Sequence, residues 1–341
     1  MAPPSKPFRA IDAQPNAQSL VKPGELVDLV EVTPLTLADR RIYNLLLENA
    51  WDAIEKPVTH AIPKAALRGS HNSNDRLGES VERLMAAIVK LQVVRDGKAS
   101  IERVQLLGGN IEHRNADGVF YYEIPARLRR IIKDSVVFAR IQKEVMFALS
   151  SKYALTLYEM VQKRGNLTFK SSETFTLEAL RGVLGVPPGK LETWSNLYNR
   201  AIRPAVEEVS QLSAYLVEVE PVKTGRRVTG VTLRWRRKDG EGENAAAREL
   251  GASKIGRAAR RSGEGAPVAE VATSGPPIAL DRAIGPLAGE TFETARLRHP
   301  GYDVYFVEQE WRIWSADKEP PRDADKAFLA FFRSYAERNP L

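Results

Sequence analysis

Asn196, Asn199, Arg200 and Arg203 recur at intervals of three and four residues, the spacing at which side chains line up along one face of a helix. Asn and Arg are the side chains that pair with adenine and guanine edges in the major groove of duplex DNA. Farther along, Lys223-Thr224-Gly225-Arg226-Arg227 sets three cations around a glycine turn, a group suited to holding phosphates. The chemistry on offer is recognition of nucleic acid by hydrogen bonds and charge.

Bond-making chemistry finds no comparable constellation. Gly185 to Lys190 has the look of a phosphate loop, yet only three residues separate its glycines and Leu191 stands where a hydroxyl residue is needed. His60, His71, His113 and His299 form no paired ligand motif, and the chain has no cysteine, so no metal site, disulfide or thiolate chemistry is expected. Tyr153 and Tyr158 lack the closely spaced histidines with which a DNA-nicking tyrosine holds its metal, and read as core. Glu207-Glu208 reads as a solvated helix face and Asp323 with Asp325 as a cap. We expect neither enzymatic activity nor a cofactor.

The elements that must position the basic and amide groups follow from periodicity. Trp194, Leu197, Tyr198, Ala201, Ala205, Val209 and Leu212 fall on the helix side opposite Asn196 and Arg200. Tyr215 to Val222 and Val228 to Arg237 read as strands, with Thr229, Val231, Leu233 and Trp235 on one face and Val228, Thr232, Arg234 and Arg236 on the other. A helix leading into two strands joined by a basic turn is the order of a winged helix. From Lys190 to Lys238 ten Lys or Arg face five Glu, so the basic excess gathers where the shape suits a groove. Pro204 lies inside the helix, removes a backbone donor and clashes with the carbonyl of Arg200, which predicts a kink there.

At 341 residues with a net charge of +7, the chain has room for two or three domains and favours a polyanionic partner. No apolar run reaches membrane-spanning length and the proline-rich opening lacks a signal-peptide core, so a cytoplasmic protein without membrane contact is expected. Residues 1–22 read as a disordered tail, with structure beginning near Glu25. Thr36 caps a helix to Ile54, and a short helix covers Pro63 to Arg68. The polar turn Gly69 to Arg76 leads into a helix with Leu77, Val81, Leu84, Met85 and Ile88 inward. Strands follow at Val93 to Arg95, Ile101 to Leu107 and Val119 to Ile124. Val136 to Ile141 reads as a strand rather than a helix. Ser150 or Ser151 then caps a helix through Lys163, and Phe175 begins another that stops at Gly185.

Helices followed by strands thus occur twice. The fold class is α+β: tandem winged helices over 23–150 and 151–238, a flexible linker over 239–277, and a small aromatic-rich helical domain over 278–341. In that last domain Val304, Val307, Trp311 and Trp314 form one helix face after Asp303. Phe328, Phe331, Phe332 and Tyr335 form another after Asp323 or Asp325.

Three stretches resemble plasmid replication initiators of the iteron-binding Rep family: Ser151 to Glu159, Phe175 to Arg181 with Leu184-Gly185-Val186, and Asn196 to Val209. The hairpin from Tyr215 to Trp235 completes the resemblance, which covers about residues 25 to 238. It implies two winged-helix domains, the second docking its recognition helix in the major groove of directly repeated origin DNA, the first contacting the DNA backbone or dimerising. It places base-reading residues at Asn196, Asn199, Arg200 and Arg203, and wing contacts at Lys223, Arg226 and Arg227. The backbone-contacting turn of the first domain falls at His71 to Arg76, including Asn74. Some relatives carry consecutive arginines where this chain has Tyr198 and Asn199, so the base sequence read does not transfer. The resemblance further implies a monomer that opens the origin, a dimer that represses the operator at its own promoter, and recruitment of a host initiator and a replicative helicase. A winged-helix repressor without initiator activity is the alternative.

Overall fold

The computed structural model describes residues 8–67, 74–95, 97–111, 118–165, 170–252, 256–262, 287–299, 304–315, 321 and 323–338. The chain divides into two compact units, Met1–Ala266 and Pro267–Leu341.

After a helical turn at Ala10–Asp12, the larger unit runs through strand β1 (Ser19–Pro23), a helical turn α1 (Gly24–Val27) and a short strand β2 (Val30–Glu31). Helix α2 (Leu37–Ala50) starts where Thr36 predicts: Thr36 Oγ1 accepts the Asp39 N–H and the Asp39 carboxylate accepts the Thr36 N–H, a reciprocal cap. Next come β3 (His60–Pro63), α3 (Lys64–Leu67) and α4 (Asn74–Ala86). The hairpin β4 (Ile88–Arg95) and β5 (Lys98–Gln105) precedes β6 (Asn110–Ile111), β7 (Val119–Tyr122), α5 (Ala126–Asp134) and β8 (Phe138–Gln142). The sheets run in the orders β2-β4-β5 and β3-β7-β6, with β1 paired to β8. Ile88 does not extend the apolar face of α4 as its spacing predicts. That helix ends at Ala86, and Ile88 opens β4 with 42% of its surface exposed.

The second half repeats the plan. Helices α6 (Lys143–Ala148) and α7 (Lys152–Gly165) lead to β9 (Ser172–Thr176) and α8 (Leu177–Val183). Ser151 caps α7 by accepting the Ala154 N–H. Phe175 and Thr176, expected to open a helix, close a strand instead. Phe175 pairs with Val231 in the sheet, and Thr176 serves as the cap from which α8 starts. Then α9 (Trp194–Leu197), a π-helical turn over Tyr198–Ile202 and α10 (Arg203–Leu212) run into the hairpin β10 (Tyr215–Thr224) and β11 (Arg227–Arg237), in sheet order β10-β11-β9. Val231, Leu233 and Trp235 are buried in the core with Leu197, Ala201 and Val209, each large apolar side chain contributing about 1.5–3 kcal/mol.

The domain boundaries need three corrections. Val145, Met146 and Leu149 already belong to the second core, so the second half begins ahead of residue 151. Structure begins before residue 22, with a helical turn at Ala10–Asp12 and then β1. Residues from Asp239 do not open a linker, because Asp239 caps helix α11 (Gly240–Gly251) by accepting the Gly242 N–H at 2.8 Å, and α12 (Arg257–Ser262) follows. The rest of that proposed linker, from 263 to 277, lies outside the described residues.

The β1–β8 pair stands between the two cores. Along β1 and α1, Val21 and Leu26 enter the first core while Leu20 and Val27 enter the second, joined there by Ala139 and Ile141 of β8. Buried charge crosses the same boundary. Lys22 Nζ lies 2.8 Å from Glu159 Oε2, and Asn44 donates to the other oxygen of Glu159 at 2.8 Å. Burial pushes the Lys22 ammonium below its ordinary value, against the pull of Glu159. Arg41 of α2 donates to the carbonyls of Met146 and Phe147 at 3.1 and 3.0 Å, and Arg164 of α7 joins Asp28 and Glu173 at 2.8 and 2.6 Å. The two winged helices are thus cross-braced.

The smaller unit consists, among the described residues, of α13 (Gly289–Arg298), α14 (Val304–Ser315) and α15 (Ala324–Arg338) around Trp311, Phe328 and Phe332. Asp323 caps α15 by accepting the Lys326 N–H, while Asp325 accepts the Ala288 N–H and so ties the start of α13 to α15. Trp314 is not interior as its spacing predicts. It is 53% exposed and lies 5.3 Å from the ring of Phe331. The proposed cap Asp303 lies outside the described residues.

Candidate nucleic-acid interface

The helix that carries the candidate base-reading residues is aimed by the turn before it. After α8, Gly185 and Gly189 adopt φ of +65° and +73°, and Leu191, at +52°, is the only non-glycine at positive φ among the described residues. A β-carbon in that conformation costs about 1–2 kcal/mol. Arg181 of α8 compensates by donating to the Leu191 and Lys190 carbonyls at 2.6 and 2.5 Å. The first domain reaches the same turn. Lys152 Nζ donates to the Gly185 and Leu35 carbonyls at 2.6 and 3.0 Å, and a Cβ on Gly185 would stand 2.4 Å from Glu31 Oε2. Gly185 is therefore required by close approach as well as by φ. Thr193 then caps α9, its hydroxyl accepting the Asn196 N–H at 3.2 Å.

Pro204 is absorbed differently from the predicted kink. The Arg203 N–H bonds back five residues to the Tyr198 carbonyl, so the helix widens into a π turn over Tyr198–Ile202 and resumes as α10 with Pro204 in its first turn. A proline is tolerated in a first turn, where its missing N–H would go unused. The helix is retained at the cost of one residue of register.

Asn196, Asn199, Arg200 and Arg203 are all exposed, while Leu197, Ala201, Ile202 and Ala205 are buried. The four are not equally available. Asn196 and Arg200 have no side-chain partner among the described residues, but the Asn199 amide donates to the Ser195 carbonyl at 2.9 Å and to its hydroxyl at 3.2 Å. Arg203 faces Glu207 across 3.9 Å.

In the hairpin, β10 and β11 stay in register to Thr224↔Arg227 with one bulge between Val222 and Lys223, and Gly225 turns the chain at φ +61°. Lys223, Arg226 and Arg227 are exposed and make no ion pair among the described residues. The basic run that follows is less free than its sequence suggests. Arg234 pairs with Glu220 at 3.0 Å, Arg237 pairs with Glu243 at 2.8 Å, and Trp235 belongs to the core, so Arg236 alone of the three arginines stays unpaired among the described residues.

In the first domain, Asn74 and Arg76 stand in the first turn of α4, and His71 lies outside the described residues. Residue-pattern reasoning missed Arg181 and Thr193. Thr193, a hydroxyl residue directly before the apolar period, was readable as a cap. Arg181 was not, because its role exists only once Leu191 takes a left-handed backbone. No group of acidic residues and histidines suited to a metal ion occurs among the described residues.

Comparison with known proteins agrees with this architecture. Residues 20–162 match the family model described as Initiator Replication protein, WH1, and residues 176–235 the model described as Initiator Rep protein, WH2, together more than half of the chain. Among solved structures, one similar chain is described as the Pi initiator protein in complex with iteron DNA, at 13% identity and TM-score 0.47, covering 65% of this chain and 98% of that one. Another is domains 2 and 3 of RctB, at 12% identity and TM-score 0.37, covering 66% and 94%. No curated protein matches. With both of its winged helices matched in order, the chain belongs to the family of initiator Rep proteins.

Proposed function

We propose that the chain is a plasmid replication initiator that binds directly repeated origin DNA and works by binding energy alone, without catalysis or cofactor. The observation that carries this reading is the pairing, on one winged helix, of an exposed Asn196–Arg200 face with a hairpin tip of three exposed cations that make no ion pair among the described residues. The helix face reads bases in the major groove, and Lys223, Arg226 and Arg227 hold the phosphates. Asn74 and Arg76 at the start of α4, with His71 ahead of them in the sequence, serve as contacts to the DNA backbone. Several copies loaded on neighbouring repeats offset the few kcal/mol needed to bend and strain the site, helping an adjacent segment to melt.

Self-association draws support from the first domain. The outward face of β4–β5 exposes Ile88, Val94 and Ile101, with Val32 beside them, and β5 is an edge strand. A dimer built there acts as repressor at the operator of the chain's own promoter, and the monomer as initiator that meets a host initiator and helicase. No helix among the described residues is long and apolar enough to cross a membrane, which fits action in the cytoplasm.

Footprinting the purified protein on the DNA flanking its own gene, at two salt concentrations, tests the reading. Evenly spaced protection of direct repeats that survives the higher salt is expected. One symmetric site, or diffuse protection lost with salt, would refute it.

A further inference from the structure

Helices α11 and α12 lie beyond the segment matched by the second winged-helix model, yet polar contacts tie them to the winged helix. Ala246 of α11 is buried, and Glu249 accepts from Arg257 at 3.2 Å and Arg260 at 2.7 Å. The Arg257 guanidinium, itself buried, also donates to the Ala148 carbonyl at 3.3 Å. These bonds fold α12 back over α10. There Gln211 donates to the Arg257 carbonyl at 3.3 Å and accepts from Arg261 Nε at 2.8 Å.

The remaining contact of Arg261 reaches the DNA-reading helix. Its Nη1 lies 3.5 Å from Glu207 Oε2, while the other oxygen of Glu207 faces Arg203 at 3.9 Å. One carboxylate is therefore shared between a candidate base-reading arginine and an arginine of the strap. Glu207 is also an acid on a helix that must approach phosphates, where a bare negative charge repels. Arg261 is the better anchored of the two partners, 23% exposed against 54% for Arg203.

We propose that α11–α12 is a working part of the DNA-binding module and that Arg261 is a positioning residue: by holding Glu207 it leaves Arg203 available to DNA and neutralises the acid facing the groove. This inference rests on reading Asn196 to Arg203 as the DNA-contacting face. Without Arg261, Glu207 turns wholly to Arg203 and competes with the duplex for it.

The test uses the full chain and two duplexes, one carrying the footprinted repeats and one of random sequence, with the melting temperature followed in parallel. Arg261→Ala should weaken binding roughly two- to five-fold, the scale of an exposed ion pair. Glu207→Gln alone should strengthen it, and Glu207→Gln with Arg261→Ala should bind as well as Glu207→Gln. Unchanged binding of a folded Arg261→Ala overturns the proposal. So does a double variant as weak as Arg261→Ala, and if its salt slope also falls by about one, Arg261 touches a phosphate itself. Should Arg261→Ala not fold, unchanged affinity of Glu207→Gln would overturn the proposal by itself. Wild-type protein that binds neither duplex would sink the proposed function instead.

Discussion

The two hairpins of this molecule share an architecture and differ in what they show to solvent. In the first, β4–β5, the outward face sets the apolar Ile88, Val94 and Ile101 beside Lys90 and Arg103, and near the turn Arg95 is taken up by the buried Glu102. In the second, β10–β11, the tip carries Lys223, Arg226 and Arg227 with no acidic partner among the described residues. Both hairpins turn at a glycine of positive φ, Gly97 at +72° and Gly225 at +61°. The backbone solution is therefore common, and the partner is set by the outward side chains: exposed apolar residues suit protein, three cations gathered at one tip suit phosphate. Fold alone would have assigned both hairpins the same role.

Four experiments break or sharpen that contrast. The largest effect concerns whether the halves act as one body. Lys22→Met leaves Glu159 buried without its ammonium, and should cost about 3–5 kcal/mol in denaturant unfolding. A loss below 1 kcal/mol would mean that the two halves are not braced through this pair. Next, replacing Lys223, Arg226 and Arg227 together by Ala should weaken binding to all duplexes and flatten the salt dependence by roughly 2.7 in log–log slope. The equivalent change at Arg95 and Lys98 should leave the slope alone, and an equal fall at both hairpins would erase the distinction. Arg200→Ala should lose about 1–3 kcal/mol of discrimination between repeat and random DNA with little change in the salt slope. If it behaves like the wing variant, the division into reading helix and phosphate-holding wing is wrong. The smallest effect on DNA is expected from Val94→Asp with Ile101→Asp. Sedimentation should show loss of dimer while monomer affinity for a single repeat is kept.

Much of this organisation was legible in the chain because local rules and tertiary demands agree. Thr36 and Ser151 cap the helices that they precede, and Val231, Leu233 and Trp235 alternate into the core as a period of two requires. Misreadings arose where a residue answers to two neighbours at once. The strand Ser19–Pro23 is buried on both faces, so it shows no alternation, and its lysine is satisfied by Glu159, far along the chain. Phe175 sits in a five-residue strand whose pairing partner, Val231, lies in a strand far along the chain, so nothing local marks it. Helix α11 is rich in glycine and alanine and turns only Ala246 and Leu250 toward the core, too sparse an apolar period to mark it, while Glu249 meets Arg257 and Arg260 beyond its end. For the site, periodicity identified which residues face out. It could not show that Asn199 bonds back to Ser195 or that Arg234 is neutralised by Glu220.

The strand pair β1–β8 carries a consequence for how the molecule is made. Leu20 and Val27 leave the ribosome long before Val231 and Trp235, yet they complete the same core. Leu20 and Val27 must wait for the second half to be made before that core can close, and contacts of such sequence separation close slowly. It follows that this half is no detachable cassette. A fragment starting at residue 151 would lack Leu20, Val27, Ala139 and Ile141 and would expose the apolar faces they cover, whereas a fragment beginning ahead of β1 keeps its core whole.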